Sequence, residues 1–480
     1  MVHCLGDEEK AAATRKVVEA ALEPHGLDWD NVSDVVPAWG NGQAIFTQKR
    51  ALSWGFRFVV PTKVKDRKAV RAALEAALEK NPIHFSFYIR EDGSVSNRKS
   101  LALHVNLKPS RDVFDLVISY APKPLMNHAT HDAMSLQGLF FSDLDRALSD
   151  PSSLRDHTPY KIFADTYYSL GTSRIAQQGI NFHATHLRGI TSHRKAASWP
   201  PQRAPDWLLG SRRGWVPPAD AAAQGFSNPT GEPLEDPERR SDGGSAPVSW
   251  RGELPGLNAF RASVPGLTNP VIAKAALALL NVRYTGDTHA LFSSLDAGRV
   301  ALPFVPGSLG AAVADINPAD MPGPMFQRLA NLVRVDAGET LGDYLLRVQE
   351  LQEGQTRHCH APLDAICEGL GPEAAEMVLD TCRRQVFNWV PGLGAMDKNP
   401  FRNLELLDSR TRADIGVVIF AGTGGKAGQD FVLRVLWDDS NFTRTEVESW
   451  LREYRAVIEW VVSGGKERRV GEYFDVVNGA

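Results

Sequence analysis

Residues 127–135 read "NHATHDAMS" and concentrate proton-active side chains more tightly than any other part of the chain. His128 and Asp132 stand four positions apart, with His131 between them. A metal site at this spacing would need a third ligand, and the sequence presents none, so we expect no metal here. Two interpretations remain: a polar turn in which Asp132 and Ser135 bond backbone amides, or a site in which a neutral imidazole accepts a proton from a nucleophile.

The length and charge of the chain narrow the possible partners. With 480 residues the chain exceeds the roughly 250 to 300 residues at which one hydrophobic core stops growing, so we expect two domains. The net charge of -4 gives no electrostatic reason to expect nucleic acid or an anionic membrane as partner. A small-molecule or protein-bound substrate is the expectation that remains.

The N-terminus and the cysteines bear on localisation. The opening "MVHCLGDEEKAAATRK" is charged and helical in pattern, without the apolar core of a signal peptide, and no run of about 18 apolar residues occurs in the sequence. The four cysteines, Cys4, Cys359, Cys367 and Cys382, form no C-x-x-C pair and no spacing typical of disulfides or thiolate metal sites. We therefore expect a cytoplasmic protein with reduced thiols.

Local patterns predict a strand, a helix and a strand after a polar N-terminal helix. In "SWGFRFVVP" (53–61) large apolar residues alternate, which is typical of a half-buried strand. A helix is predicted over 66–82, with Asp66 as N-cap and Pro82 at its end. In "HFSFYIREDGS" (84–94), Phe85, Phe87 and Ile89 alternate before a D-G turn, which predicts a second strand.

A change of composition divides the chain. Residues 206–260 are rich in Pro, Gly, Asp and Ser, which predicts a partly mobile linker between an N-terminal half (1–205) and a C-terminal half (261–480). The second half predicts a helix capped by Thr268, a helix over 340–355, strands over 414–420 and 430–439, and a last helix in which Thr443 and Glu446 have capping-box spacing. Both halves are therefore predicted to be mixed α/β.

The stretch 127–135 resembles the H-H-x-x-x-D-G motif of nonribosomal peptide synthetase condensation domains. It is most similar to the S-H-x-x-Y-D-x-x-S form of fungal terminal condensation domains. Weaker similarities follow in the family's order: "DVVPAWGNGQ" (34–43), "KNPIHFSFYIREDG" (80–93), "LTNPVIAKAALALL" (267–280), "LDAGR" (295–299), "MPGPMFQRLANLVRV" (321–335) and "RRQVFNWVPG" (383–392). Together they span nearly the whole chain.

The resemblance implies a fold and an activity. It implies two chloramphenicol-acetyltransferase-like halves in a V-shaped pseudo-dimer, with the active site in the tunnel between them. The implied activity is acyl or peptidyl transfer, in secondary metabolism, from the phosphopantetheine thioester of a carrier protein to the amine or hydroxyl of a small-molecule acceptor. The partner is thus an acyl or peptidyl carrier protein, and no cofactor is expected to be bound by the chain itself.

The resemblance also implies residue roles. His128 matches the catalytic second histidine and Asp132 the structural aspartate of the motif, while Asn127 stands for the first histidine and Ala133 for the glycine. Ser135 matches the last position of the terminal-domain form. Arg299, in the "x-s-G-R" turn, and the pair Asn388 and Trp389, in the late strand, are the candidates for lining the tunnel. A buried core strand is the alternative for Asn388 and Trp389.

One departure from the family bears on the aspartate. Phe85 stands where the family's first-half strand has an arginine, the residue expected to pair with Asp132. Asp132 then needs another partner, for which Arg57, Arg90, Arg299 or backbone amides are available. Pro122 and Pro124 also interrupt the strand that leads into the motif.

Other stretches and other functions compete with this interpretation. "AGTGGKAG" (421–428) lacks the Ser or Thr of a phosphate loop after its lysine and predicts a turn between strands. Coenzyme-A-dependent acyltransferases share H-x-x-x-D, but of their D-F-G-W-G signature "DFVLRVLWDD" (430–439) keeps only two letters. A catalytically silent module that docks carrier proteins is the second alternative, and Phe85 favours it.

Overall fold

The computed structural model describes most of the chain. It covers residues 8–38, 52–59, 66–92, 102–118, 138–171, 173–201, 247–296, 298–299, 317–395, 401–413, 416–423, 430–437 and 442–478. The helices are α1 (Glu8–Leu22), α2 (Arg67–Lys80), α3 (Arg111–Ile118), α4 (Phe141–Ala147), α5 (Tyr160–Gly171), α6 (Arg174–His186), α7 (Arg194–Ala197), α8 (Leu257–Ser263), α9 (Asn269–Thr285), α10 (Leu341–Arg357), α11 (Leu363–Leu370), α12 (Pro372–Arg384), α13 (Arg444–Ser463) and α14 (Gly471–Asn478). The strands are β1 (Val32–Pro37), β2 (Leu52–Val59), β3 (Ser86–Arg90), β4 (Ala102–Leu107), β5 (Val248–Glu253), β6 (His289–Asp296), β7 (Gln327–Arg334), β8 (Gln385–Trp389), β9 (Glu405–Ala413), β10 (Val417–Thr423) and β11 (Asp430–Trp437).

The first half contains a three-stranded antiparallel sheet in the order β1-β4-β3. Val105 on β4 lies opposite both Val35 and Phe87, and all three are buried in one apolar cluster. Because side chains alternate along a strand, the next rung, with His104 and Tyr88, faces the other side of the sheet. This other side is polar and packs against α5.

The second half is built on a six-stranded mixed sheet in the order β5-β11-β10-β8-β6-β7. Strand β8 is parallel to both of its neighbours, β10 and β6. Helix α9 is buried without interruption from Val271 to Val282, as expected for a helix covered on all sides. Its neighbours bond its backbone, since Tyr344 and Tyr454 donate to the carbonyls of Ala275 and Ala273 at 2.9 and 2.8 Å.

A strand pair and an apolar cluster are among the contacts that join the halves. Strand β2 of the first half pairs antiparallel with β9 of the second, from Leu52 opposite Ala413 to Val59 opposite Glu405. Helices α6 and α7 pack near the second-half sheet, and an apolar cluster there contains Leu187 and Ile190 together with Leu332 and Ile366. The junction is therefore formed by backbone pairing at one place and by side-chain packing at another.

The predicted helix starts agree with the structure at two of three caps. Asp66 Oδ1 accepts the amide of Lys68 at 2.9 Å, and Thr443 and Glu446 form both bonds of a capping box. Thr268 precedes α9 as predicted, but its hydroxyl donates to Gln349 Oε1 at 3.0 Å, so it makes no cap bond. The side chain of Thr268 therefore links the start of α9 to Gln349 of α10.

The strand predicted over 84–94 begins later than its pattern indicates. Residues Pro82–Phe85 form a 3-10 turn, and β3 runs over Ser86–Arg90. Phe85 is nevertheless 1% exposed, because the turn directs it into the first-half core. The alternation of Phe85 with Phe87 therefore predicted the burial of Phe85 correctly and its backbone conformation wrongly.

The end of the predicted linker is ordered structure. Within residues 206–260, β5 is an edge strand of the second-half sheet, paired with β11, and α8 begins at Leu257. The sequence did not predict strand β5 because its outward residues are polar, as is usual for an edge strand. Residues 202–246 lie outside the described residues.

Two further sequence predictions concern residues 421–428 and membrane-spanning helices. The ends of β10 and β11 pair antiparallel at Thr423 and Phe431. Residues 424–429 lie outside the described residues, so the turn predicted for "AGTGGKAG" stays a prediction. Among the described residues no helix combines the length and the apolar character needed to cross a membrane.

Candidate active site

The polar stretch 127–135 falls in a part of the chain that the structure does not describe. Residues 119–137 lie outside the described residues, and with them Asn127, His128, Asp132, Ala133 and Ser135. Their roles stay predictions. On either side of residues 119–137, α3 ends at Ile118 and the described chain begins again at Gly138.

The segment that follows the stretch is anchored at the junction of the halves. Phe140 packs on the His84 ring with centroids 4.2 Å apart, and Phe141 meets Phe401 of the second half edge-on at 6.3 Å. Phe140 and Phe141 are 8% and 7% exposed. The residues that lead into α4 are therefore packed between His84 in a turn of the first half and Phe401 of the second half.

The helix that precedes the stretch meets the same first-half turn. Phe114 of α3 contacts Phe85 edge-on, with ring centroids 5.0 Å apart, and Val113 beside it is fully buried. Phe85 therefore packs against one flank of the stretch and His84 against the other. The turn Pro82–Phe85 therefore supports the described chain on both sides of the polar stretch.

The arginines considered as partners of Asp132 have different environments. Arg90 is 1% exposed on β3. Arg299 directs three N–H groups to second-half carbonyls, those of Pro318, Met321 and Gly323, at 2.7, 2.9 and 2.6 Å. The side chain of Arg57 is outside the described part of β2, so the partner of Asp132 stays a prediction.

Arg299 fixes a second-half loop against the first half. The loop that it braces ends in Gly323 and Pro324, and Tyr160 of α5 donates its hydroxyl to the Pro324 carbonyl at 2.9 Å. Gly323 has a φ of 137°, and a Cβ on it would lie 2.1 Å from the Tyr160 ring. Close approach of backbone to ring thus requires glycine here, and the predicted tunnel-lining arginine has a bracing function at this junction.

A buried histidine links carboxylates from both halves. His157 Nε2 lies 2.6 Å from Asp143 Oδ2 on α4, and His157 Nδ1 lies 3.2 Å from Asp320 Oδ1 in the loop braced by Arg299. Burial alone would lower the pKa of His157, but the hydrogen bonds and charges of Asp143 and Asp320 outweigh it, and the net pKa is raised. Nothing in the local sequence indicated this triad, because its members are far apart along the chain.

A second carboxylate of α4 reaches the second half. Asp145 Oδ1 accepts the amides of Asn403 and Leu404 at 2.6 and 3.1 Å, and its Oδ2 accepts that of Arg402 at 3.2 Å. Buried carboxylates satisfied by several backbone amides hold their position firmly. Helix α4 is thus bonded to the second half at Asp143, through His157, and at Asp145.

The polar side of the first-half sheet lies close to this junction. His104 is 1% exposed and stacks on Tyr88 at 4.8 Å, while Tyr160 meets it edge-on at 5.6 Å. Burial lowers the pKa of His104 to about 3, so this imidazole is neutral at pH 7. His104 therefore gives this side of the sheet a polar but uncharged surface.

Asn388 and Trp389 point to opposite sides of the second-half sheet, because they are successive residues of β8. Trp389 packs against the main second-half core and contacts Phe431 with centroids 5.7 Å apart. Asn388 pairs across the strands with Phe420 and Leu295, both partly exposed. Only Asn388 therefore shares the less covered side of the sheet, and the two cannot line one wall as a pair.

The described cysteines are poor nucleophiles. Cys359, Cys367 and Cys382 are buried thiols without disulfide partners. Burial raises the pKa of Cys367 to about 12 and raises that of the other two as well. Since the thiolate is the reactive form, none of the three is poised to accept an acyl group at neutral pH.

A cavity of about 250 Å³ lies elsewhere, between Trp199, Tyr284 and Trp450. Trp199 and Tyr284 stack with centroids 4.1 Å apart. The lining residues belong to the segment before residue 202, to the end of α9, to the starts of β8 and β10 and to α13 with Phe442 before it, and none of the residues that flank the polar stretch is among them. This cavity is separate from the candidate active site.

Comparison with known proteins shows the fold. No family model and no curated protein matches the chain. Among solved structures, the condensation domain of the monacolin K polyketide synthase MokA is similar at a TM-score of 0.61 and 14% identity, covering 92% of this chain and 100% of that chain.

Two further solved structures have the same fold. A variant of the starter condensation domain of rhizomide synthetase RzmA, in complex with C8-CoA, has a TM-score of 0.57 and 11% identity, covering 95% of this chain and 98% of that one. The X-domain from teicoplanin biosynthesis, in complex with OxyB, has a TM-score of 0.55 and 15% identity, covering 91% and 95%. The chain therefore has the mixed α/β, chloramphenicol-acetyltransferase-like fold of condensation domains.

Proposed function

We propose that this chain, which has the condensation-domain fold, is an acyltransferase of the condensation type in secondary metabolism. It moves an acyl or peptidyl group from the phosphopantetheine thioester of a carrier protein to an amine or hydroxyl, forming an amide or ester or releasing a cyclised product. The donor arm belongs to the carrier protein, and the acceptor is a small molecule.

One observation carries the proposal. The chain shares its fold with condensation domains over at least nine-tenths of its length, and the described segments on either side of residues 119–137, which include the stretch that resembles the family's motif, both pack on the turn Pro82–Phe85. Phe141 and Asp145 bring the second half to one flank, and the turn Pro82–Phe85 supports both flanks. Fold alone does not determine function, so the proposal rests also on the sequence of residues 127–135.

In the proposed reaction His128 accepts the proton of the attacking amine or hydroxyl. The nucleophile forms a C–N or C–O bond to the thioester carbonyl, the C–S bond breaks, and the proton passes to the departing thiolate of the arm. Asp132 holds the loop, with Asn127, Ala133 and Ser135 as its supporting neighbours. The raised thiol pKa values agree with direct transfer that involves no acyl-cysteine.

The walls of the proposed tunnel follow from the same junction. Asn388 and Phe420 lie on the side of the second-half sheet that carries partly exposed residues. Arg299 is assigned to bracing the loop beside Tyr160, and Trp389 to the core. A tunnel built on rigid elements keeps the reacting groups oriented, and this orientation lowers the barrier of a reaction between two bound groups.

A second candidate is a silent module that docks carrier proteins. Phe85 favours it, because a buried aromatic residue occupies the position of the arginine that would stabilise Asp132. The solved X-domain, which has the same fold and is in complex with OxyB, shows that such a fold can bind a protein partner. Such a module would bind the carrier protein but would not catalyse acyl transfer.

The two candidates differ in turnover. The full chain is mixed with a carrier protein loaded with an acyl thioester and with an amine or alcohol acceptor, and product is measured by mass spectrometry beside a binding assay. Multiple turnovers that depend on the carrier support the condensation reaction, and binding without turnover across a panel of donors supports the docking module. A third arm with free acyl-CoA tests the coenzyme-A-dependent alternative.

A further inference from the structure

We propose that His193, Asp287 and His289 bind one divalent transition-metal cation of the zinc class. Each residue offers one ligand atom, and these atoms all lie within 4.8 Å of one another. The three ligands come from both parts of the chain: His193 stands just before α7, Asp287 follows the end of α9, and His289 opens β6.

The spacing of the ligand atoms suits a small cation. His193 Nδ1 lies 2.8 Å from Asp287 Oδ1. The rings of His193 and His289 are in contact, with centroids 3.8 Å apart, and would have to separate to about 5 Å to bind one tetrahedral ion. In a tetrahedral zinc site, with bonds of roughly 2.0–2.2 Å, neighbouring ligand atoms are roughly 3.3 Å apart. The histidine and the carboxylate therefore need to separate by only a few tenths of an ångström to admit the ion between them.

Hydrogen bonds around the cluster orient its ligands. Asp287 Oδ1 accepts the amide of His289 at 3.1 Å, and Oδ2 accepts that of Ala196 at 3.4 Å. Thr288 Oγ1 lies 3.0 Å from His289 Nδ1, so one ring nitrogen has a neutral partner and the other is left for a metal. Fixing the second ring nitrogen in this way is the usual means by which proteins orient metal-binding histidines.

Charge and exposure also fit a cation. The side chains of His193 and Asp287 are 19% and 10% exposed, so an ion can enter and water can supply the remaining ligand. Arg334 and Arg347, two cationic groups whose charges act on His289, are paired with Asp336 and Glu339 at 2.6 Å each. Two imidazoles and one carboxylate favour zinc, cobalt or nickel over calcium or magnesium.

The bound ion would join two segments that are distant in the chain. It would tie the residues before α7 to the beginning of β6, beside the apolar cluster that already holds these segments together. None of its ligands belongs to the polar stretch or its flanks, so the proposal does not depend on the acyltransferase reaction. Its expected effect is on stability.

The test uses the full chain without a histidine tag, stripped with EDTA and then titrated with Zn²⁺ or Co²⁺. We expect one equivalent of metal, visible absorption typical of four-coordinate cobalt, and a melting temperature raised by about 2 °C or more. X-ray absorption on the zinc-loaded chain should show two imidazole ligands. Less than half an equivalent bound at 100 µM metal, or a metal shell without imidazole, overturns the proposal.

Two variants and a matched control locate the site. His193→Asn keeps an N–H donor toward Asp287 but loses the imidazole, and His289→Gln removes the other ring; each should weaken binding about 10-fold or more. His25→Asn changes a histidine far from the cluster and should bind like the parent. Unchanged cobalt affinity in both cluster variants contradicts the proposal, and if either fails to fold, the absorption data on the parent decide.

Discussion

His157 and Asp143 form a hydrogen bond of 2.6 Å between Nε2 and Oδ2, and each side chain is 2% exposed. Asp143 belongs to the helix that follows the polar stretch, and the other ring nitrogen of His157 faces Asp320 of the second half. With both nitrogens against carboxylates, the imidazole is best satisfied in its protonated form. The link between the halves is therefore sensitive to pH.

We expect this link to weaken as the pH rises. The pKa of His157 is raised in the folded chain, so its stabilising contribution is complete below the unfolded value of about 6.5 and is lost as the pH passes through the folded pKa. His157→Gln should lose that part of the pH dependence. Melting temperatures between pH 5.5 and 9 measure it, with His25→Gln as control; an identical pH profile in His157→Gln and the parent would refute the assignment.

Lys274 should give a pH dependence of the opposite sign. Its Nζ lies in the second-half core among neutral acceptors, at 3.1 Å from Asn331 Oδ1 and 3.2 Å from Gln355 Oε1, and burial lowers its pKa to about 7. The unfolded chain then binds the extra proton between about pH 7 and the unfolded pKa of about 10.4, so stability rises with pH in that window.

The measurement for Lys274 is a comparison of slopes. Lys274→Met should lack the rise in the free energy of unfolding that the parent shows between pH 7 and 9.5, whatever its absolute stability. Urea unfolding at several pH values reports it, and Lys466→Met, an exposed site, is the control. Parallel curves for Lys274→Met and the parent would show that the buried ammonium stays charged.

Phe85 should resist replacement by the family's arginine. Its ring is 1% exposed and meets Phe114 at 5.0 Å, so Phe85→Arg places a charge without a partner in the first-half core. We expect a loss of about 3–5 kcal/mol or more, against about 1–2 kcal/mol for Phe85→Leu. Urea unfolding compares the two, and an arginine variant as stable as the leucine variant would mean that Asp132 reaches this position.

Gly323 should tolerate no side chain because Tyr160 lies against it. Gly323→Ala adds a Cβ 2.1 Å from the ring at a positive φ, and we expect it to cost about 1–3 kcal/mol more than Gly26→Ala, where φ is also positive but no atom lies within 4 Å. Combining Gly323→Ala with Tyr160→Leu should recover part of the loss. Equal costs at the two glycines would contradict this packing.

Substitutions of His128 and of Asp132 should change different measured properties. His128→Ala should lower transfer by about 10²- to 10⁴-fold while carrier binding and melting temperature stay near the parent values, because removing a general base affects the reaction step. Asp132→Ala should lower both activity and stability, and His131→Ala should have a small effect.

The covalent alternative has its own measurement. Intact mass of the chain with donor thioester and no acceptor should show no acyl adduct. A stoichiometric adduct, or full activity in His128→Ala, would contradict direct transfer.

Local structure was predictable where its determinants lie within a few residues. The Asp66 cap and the Thr443–Glu446 capping box follow from side chains two or three positions away from the amides that they bond. The burial of Phe85 was equally visible in the alternation, although the proline before it turned the backbone into a 3-10 turn.

Relations between distant residues were not predictable in this way. The contact of His157 with Asp320 and the bracing of a loop by Arg299 depend on how the halves meet, which no local pattern encodes. Strand β8 shows that local patterns can fail even for two adjacent residues. Asn388 and Trp389 are neighbours in sequence, and pleating alone sends them to different environments.

The pairing of β2 with β9 has a consequence for synthesis of the protein. At about 5–20 residues per second, a ribosome completes β9 roughly tens of seconds after β2 has emerged. In the described part of the chain β9 is the strand that β2 pairs with, so until then a nascent polypeptide presents an open strand edge that can associate with other chains. Premature termination before residue 405 should therefore yield a product that depends on chaperones or aggregates, even though the first-half core is already complete.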